Sequence, residues 1–158
     1  MIEAPLARHR EKVRKEWIDY NGHMNVAYYL VIFDHATDVL LDLVGLGERY
    51  SEGSNAGTFA MEAHVTYQRE LLLDSPVVVK TQLLAFDHKR IHYFHRMLHE
   101  QEGYCAATLE QLSIHVDHGT RRSAPLPDAA LRTLEELRTA HAALEAPAEM
   151  GSRIGIRR

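Results

Sequence analysis

The chain has 158 residues, 46% hydrophobic and 25% charged, enough to bury one core and an ordinary balance for a globular domain. Its formal net charge of -4 gives no general reason to expect nucleic acid or membrane as a partner. A lone cysteine, Cys105, excludes an intrachain disulfide and any paired-cysteine metal site. With no apolar signal core in MIEAPLARHREK and no membrane-length apolar run, a cytoplasmic protein is expected.

Arg8 to Trp17 is charged, with Val13 and Trp17 as its main apolar residues, and reads as an edge strand. Asp19 to Asn25 reads as a turn. From Val26 to about Leu46 apolar residues recur at helical intervals (Val26, Leu30, Phe33, Leu40, Val44), and Val31, Ile32, Val39, Leu41 and Leu43 fill most other faces. A buried helix of roughly 30 Å is expected, stopped by Gly45 and Gly47. Its one polar stripe, Asp34, Asp38 and Asp42, is most simply solvated. Ser51 to Gly57 reads as a loop. Four strand-like segments follow, Thr58–Leu73, Val77–Phe86, Arg90–Glu100 and Tyr104–Val116, joined by LLDSP, DHK and QEG. Strands this long, tightly joined, predict one antiparallel sheet curved around the helix. After Pro125 and Pro127, leucines at 131, 134, 137 and 144 predict an amphipathic helix over Asp128–Leu144, and the tail GSRIGIRR is expected to be loose. The expectation is a single α+β domain with a core over about 8–118. An unpaired edge strand asks for a second copy, so a homodimer or homotetramer is expected.

The stretch DYNGHMNVAYY, from Asp19, carries more polar groups than a helix cap requires. It closely resembles the active-site segment of hot-dog acyl-CoA thioesterases of the hydroxybenzoyl-CoA thioesterase type. The resemblance covers about Arg8 to Val116, with MEAHVTYQREL, LLAFDHKRIHYFHRML and LEQLSIHVD matching the later strands. Within that family the chain is similar to the betainyl-CoA thioesterase group, free-standing or closing some L-carnitine dehydrogenases. The resemblance implies a helix wrapped by its sheet and hydrolysis of a short acyl-CoA to acid and CoA, without metal or organic cofactor. A hot-dog dehydratase and a non-catalytic acyl-CoA-binding module are the alternatives.

Thioester hydrolysis needs a nucleophile or general base and a place for the negative charge that develops on the carbonyl oxygen. The resemblance makes Asp19 the catalytic carboxylate, attacking the carbonyl or activating water. Backbone amides of Gly22, His23 and Met24, at the positive end of the helix dipole, are the expected oxyanion hole. His23 is expected to orient Asp19 or line the pocket, and Asn25 to be both cap and site residue. Glu62, in AMEAHV, is the expected second carboxylate. Lys89 and Arg90 are expected to meet CoA phosphates, with Arg121 and Arg122 as weaker candidates. A betainyl group would present a trimethylammonium, which aromatic faces hold. Trp17, Tyr20, Tyr28 and Phe59 are the expected acyl pocket, with Tyr29, Phe33, Tyr67 and Glu62 nearby in sequence. His88, His92, His95 and His99 look ligand-rich, but a strand sends them to both faces and no HExxH accompanies them, so no metal is expected there.

Overall fold

The computed structural model describes residues 1–157. Strand β1 (Leu6–Lys12) opens the chain and is followed by one 3-10 turn at Lys15–Trp17. Helix α1 (Val26–Leu43) and the short α2 (Glu48–Ser54) come next. Then run β2 (Ala56–Tyr67), β3 (Pro76–Phe86), β4 (Arg90–His99), β5 (Cys105–Asp117), the two-residue β6 (Arg122–Ser123) and α3 (Asp128–His141). The sheet is antiparallel in the order β1-β3-β4-β5-β2, with β6 beside β5. It is the α+β arrangement expected from the sequence.

Helix α1 buries Tyr29, Ile32, Phe33, Ala36, Thr37 and Leu40 against the sheet. The upper core joins Tyr29, Ile32, Phe33 and Ala36 to Val77, Val79, Met97 and Leu109 from β3, β4 and β5. The lower core joins Leu40 and Val44 to Leu83, Ile91 and Tyr93, with Ala130, Leu134 and Leu137 of α3 closing its side. The helix is not buried all round. Val26 and Leu30 are 53% and 43% exposed, and they continue into the exposed Asp34, Asp38 and Asp42 along one stripe. Burial and mutual repulsion with Asp34 and Asp42 raise the Asp38 carboxyl above its ordinary value.

Several boundaries differ from the sequence reading. The first strand ends at Lys12 because Val13 turns inward, exchanging backbone bonds with Asp74 and Ser75. Strand β2 stops at Tyr67, where the Gln68 and Arg69 amides both donate to Ala106 O and end the ladder. The expected loop at 51–57 is largely helix: α2 ends in a left-handed Asn55, φ 54°, a residue that tolerates that conformation better than most. The expected loose tail is tethered where it begins, Gly151 N donating to Glu110 Oε2, and just before it Glu149 pairs with Arg96 at 2.9 Å.

Both sheet edges are open in the chain. β1 guards its edge with exposed Arg8, Arg10 and Lys12, whereas β2 exposes Phe59 and Met61 on its free edge.

Candidate active site

A two-residue bridge between Ile18 and Met24 closes the loop that carries Asp19. Asp19 N donates to His23 O, and Asn25 N donates to Trp17 O at 2.8 Å, so Asp19 is held beside the start of α1. Asn25 caps that helix, its Oδ1 accepting from Ala27 N. Its Nδ2 donates to Asp19 Oδ2 at 3.2 Å, and Asp19 Oδ1 accepts from Asn21 N at 2.8 Å. One side chain therefore both caps the helix and aims the carboxylate. Gly22 stands at φ +82°, a conformation that glycine adopts without strain.

Asp19, Asn21 and Asn25 line a 510 Å³ cleft with Tyr20, His23, Met24, Val26, Tyr29, Tyr67 and the segment Gln68–Glu70. Tyr29 and Tyr67 meet edge to face, with centroids 5.3 Å apart. The Tyr29 hydroxyl accepts from Leu71 N, and burial raises the pKa of both phenols. Tyr20 stands almost wholly in solvent at the mouth. Among the described residues Arg69 is the one arginine or lysine that lines the cleft; its guanidinium stacks on Tyr104 at 3.9 Å and lies 3.8 Å from Glu102.

The structure gathers only part of the expected site. Asp19, Tyr20, His23, Met24 and Asn25 meet in the cleft. The Gly22 amide is engaged by Asp19 O and the Met24 amide by Leu71 O, whereas among the described residues the His23 and Val26 amides have no acceptor. Of the expected set, the His23 amide is the free one, and the second free donor is Val26, two residues beyond Met24. The His23 ring faces Glu70, Nε2 to Oε2 3.8 Å, rather than Asp19. Trp17 is buried and stacks on Tyr28, with centroids 5.5 Å apart, so this pair packs the core. Glu62 lies with His64, His92 and Glu110 in a separate cleft. Val65 packs inward and strand residues alternate, so Glu62 and His64 face away from α1.

Phe59, Lys89 and Arg90 sit at the other end of the sheet. Phe59 and Arg90 both register with Ile114, whereas Tyr67 and Met97 register with Ala107. Phe59 is eight strand residues from Tyr67, roughly 27 Å. It lines a second cleft, 570 Å³, with Asp38, Asp42, Glu48 and His118. Arg90 is bound by Asp87, Nη2 to Oδ2 2.6 Å, and this pairing holds the Asp87 carboxyl down at about 2. Lys89 Nζ donates to a hydroxyl, Ser123 Oγ at 3.4 Å, and among the described residues no carboxylate pairs with it; Arg121 and Arg122, just before Ser123, are exposed.

The four histidines around β4 do not converge. His92 pairs with Glu110, His95 is buried between Thr37 and Thr81, and His99 accepts from Glu102 N. The sequence reading gave no role to Gln68, Arg69 or Glu70; it placed them inside a strand running to Leu73 and within the matching stretch MEAHVTYQREL.

Residues 13–134 match the family described as the thioesterase-like superfamily. The betainyl-CoA thioesterase of Pseudomonas aeruginosa is 37% identical over 151 residues, 96% of this chain and 95% of that one. The L-carnitine dehydrogenase/betainyl-CoA thioesterase of Rhizobium meliloti is 35% identical over 154 residues, which span 98% of this chain and 31% of the longer one. A Staphylococcus aureus protein solved in complex with CoA superposes with a TM-score of 0.91 at 27% identity, covering 99% of both chains.

Proposed function

The chain belongs to the thioesterase-like superfamily, and on that premise we propose that it hydrolyses betainyl-CoA to betaine and free CoA. The observation that carries this reading is the Asp19 carboxylate, fixed by Asn25 at the positive end of α1 and opening into an aromatic cleft. Asp19 acts on the thioester carbonyl, directly or through a water that it deprotonates. The charge arriving on the carbonyl oxygen falls to the free amides of His23 and Val26. The C–S bond then breaks and CoA leaves as its thiolate, which takes up a proton; on the direct route a water then hydrolyses the acyl–Asp19 anhydride to release the acid and regenerate the carboxylate. The lone cysteine and a CoA substrate fit the cytoplasm.

The acyl group rests on the relatives and on the cleft. A trimethylammonium has no N–H to donate, and it is held by aromatic faces with carboxylates near. Tyr20, Tyr29 and Tyr67 supply faces, and Glu70 supplies the second carboxylate in place of Glu62. The fusion of a related module to an L-carnitine dehydrogenase supports a role in carnitine breakdown.

The working unit is a pair of chains. A two-fold axis near residue 63, midway between Phe59 and Tyr67, would join two β2 edges and extend the sheet. It would bring the Asp19 end of one copy to the Phe59, Lys89 and Arg90 end of the other. Lys89 then serves the CoA phosphates across the pair.

A thiol-release assay over a panel of acyl-CoAs tests the activity and the acyl group separately. Betainyl-CoA should exceed its uncharged isostere, the tert-butylacetyl thioester, and butyryl-CoA in kcat/KM by at least about tenfold. Tyr67→Leu should narrow that gap. A flat profile would remove the betainyl assignment and leave the thioesterase; hydration of crotonyl-CoA without thiol release would remove both.

A further inference from the structure

On the inner side of the first strand, away from the Asp19 cleft, two imidazoles converge on a single carboxylate oxygen. His9 Nε2 lies 3.0 Å from Glu11 Oε2, and His35 Nδ1 lies 2.8 Å from the same atom. The three ligand atoms all lie within 4.8 Å of one another. We propose that His9, Glu11 and His35 form a binding site for a divalent transition metal of the zinc class, clamping β1 to α1.

Chain geometry sets the donors. Residues 9 and 11 are two apart on a strand and share the face turned to α1, which brings His35 from its middle. Tetrahedral zinc, with Zn–N and Zn–O near 2.0–2.1 Å, spaces its ligand atoms about 3.3 Å apart. The observed separations from Glu11 Oε2 are a few tenths of an ångström shorter, so small side-chain rotations admit an ion. In the metal-free chain both rings must direct a proton at one oxygen; an ion replaces those two protons. Two imidazoles and one carboxylate suit Zn²⁺, Co²⁺ or Ni²⁺ and leave a fourth position for water. Arg14 Nη2 holds the other carboxylate oxygen, Glu11 Oε1, at 3.1 Å, the outer-shell contact that orients a ligating carboxylate. The Glu11 and His9 side chains are only 10% and 16% exposed, whereas His35 is 40% exposed and provides the way in.

The competing description is a plain hydrogen-bonded triad, and tag-free protein stripped with chelator separates the two. Titration with Co²⁺ should give visible tetrahedral d–d bands that saturate at one ion per chain, with a Kd below about 10 μM. Zn²⁺ should displace the Co²⁺ and raise the melting temperature. His35→Ala and Glu11→Gln should each weaken binding at least about tenfold, while His92→Ala, whose imidazole pairs elsewhere, should bind like the parent. His35→Ala places a good helix former at a part-exposed position and should fold. Absence of Co²⁺ binding tighter than about 100 μM, or equal binding by His35→Ala and Glu11→Gln, would overturn the site.

Discussion

Asn25 does two jobs that substitution can separate. It caps α1 through Oδ1 and aims Asp19 through Nδ2. Asn25→Ser keeps a capping oxygen but loses the amide donor. Stability by denaturant melt should stay within about 0.5 kcal/mol of the parent, while kcat falls at least about tenfold. Asp19→Asn should lower kcat at least about a hundredfold with the fold intact, since the cap lies on Asn25 rather than on Asp19. A catalytically competent Asp19→Asn chain would place the chemistry elsewhere. The meeting of Asp19 with Asn25 at the helix start was legible in the sequence because it is local: the seven residues 19–25 hold both. Trp17, Tyr28 and Glu62 were not legible, because composition says that an aromatic or a carboxylate is present but not which face it takes. The Glu62 side follows from the strand register, which one sequence alone does not reveal.

The elements were read well where a single period dominates and badly where it does not. Helix α1 and β3 to β5 lie close to their expected bounds. Helix α2 was missed because ERYSEGS has no apolar stripe and its residues escape full burial; it is held by a Tyr50 hydroxyl bond to His115 Nε2 at 2.8 Å and by Ser54 on Tyr50 O. The seam between α1 and the sheet carries its own chemistry in His95. Thr37 Oγ1 donates to Phe33 O and so accepts from His95 Nε2, while Thr81 Oγ1 donates to Nδ1. The neutral ring is fully satisfied, and burial holds its pKa down at about 3. Burial also lowers His141, whose Nδ1 accepts from Leu83 N. The unfolded chain takes up these protons near pH 6.5 and the folded chain only at lower pH, at about 3 for His95. The His95 contribution is therefore complete above about pH 6.5 and is lost as pH falls toward 3, and His141 acts in the same direction. The urea midpoint should drop between pH 7.5 and pH 5, and His95→Gln should drop less. Equal drops in the two proteins would remove His95 as a source of the acid sensitivity.

At the scale of the whole molecule, the open β2 edge asks for a partner more strongly than β1 does, because it offers Phe59 and Met61 where β1 offers cations. Sedimentation at micromolar concentration should show at least a dimer. Met61→Lys should shift it toward monomer and silence thiol release although every residue of the Asp19 cleft is untouched. A fully active monomer would refute the paired site. The separation of roughly 27 Å between the Phe59 row and the Tyr67 row has a genetic consequence. If each catalytic centre borrows one row from each copy, damage to the two rows is carried by different halves of that centre. A chain disabled at Asp19 and a chain disabled at the Phe59 and Lys89 end should then rescue one another when unfolded together and refolded. Random pairing puts half the chains into mixed pairs, and each mixed pair holds one undamaged centre and one doubly damaged centre. About a quarter of the parental activity should return from two inactive parents.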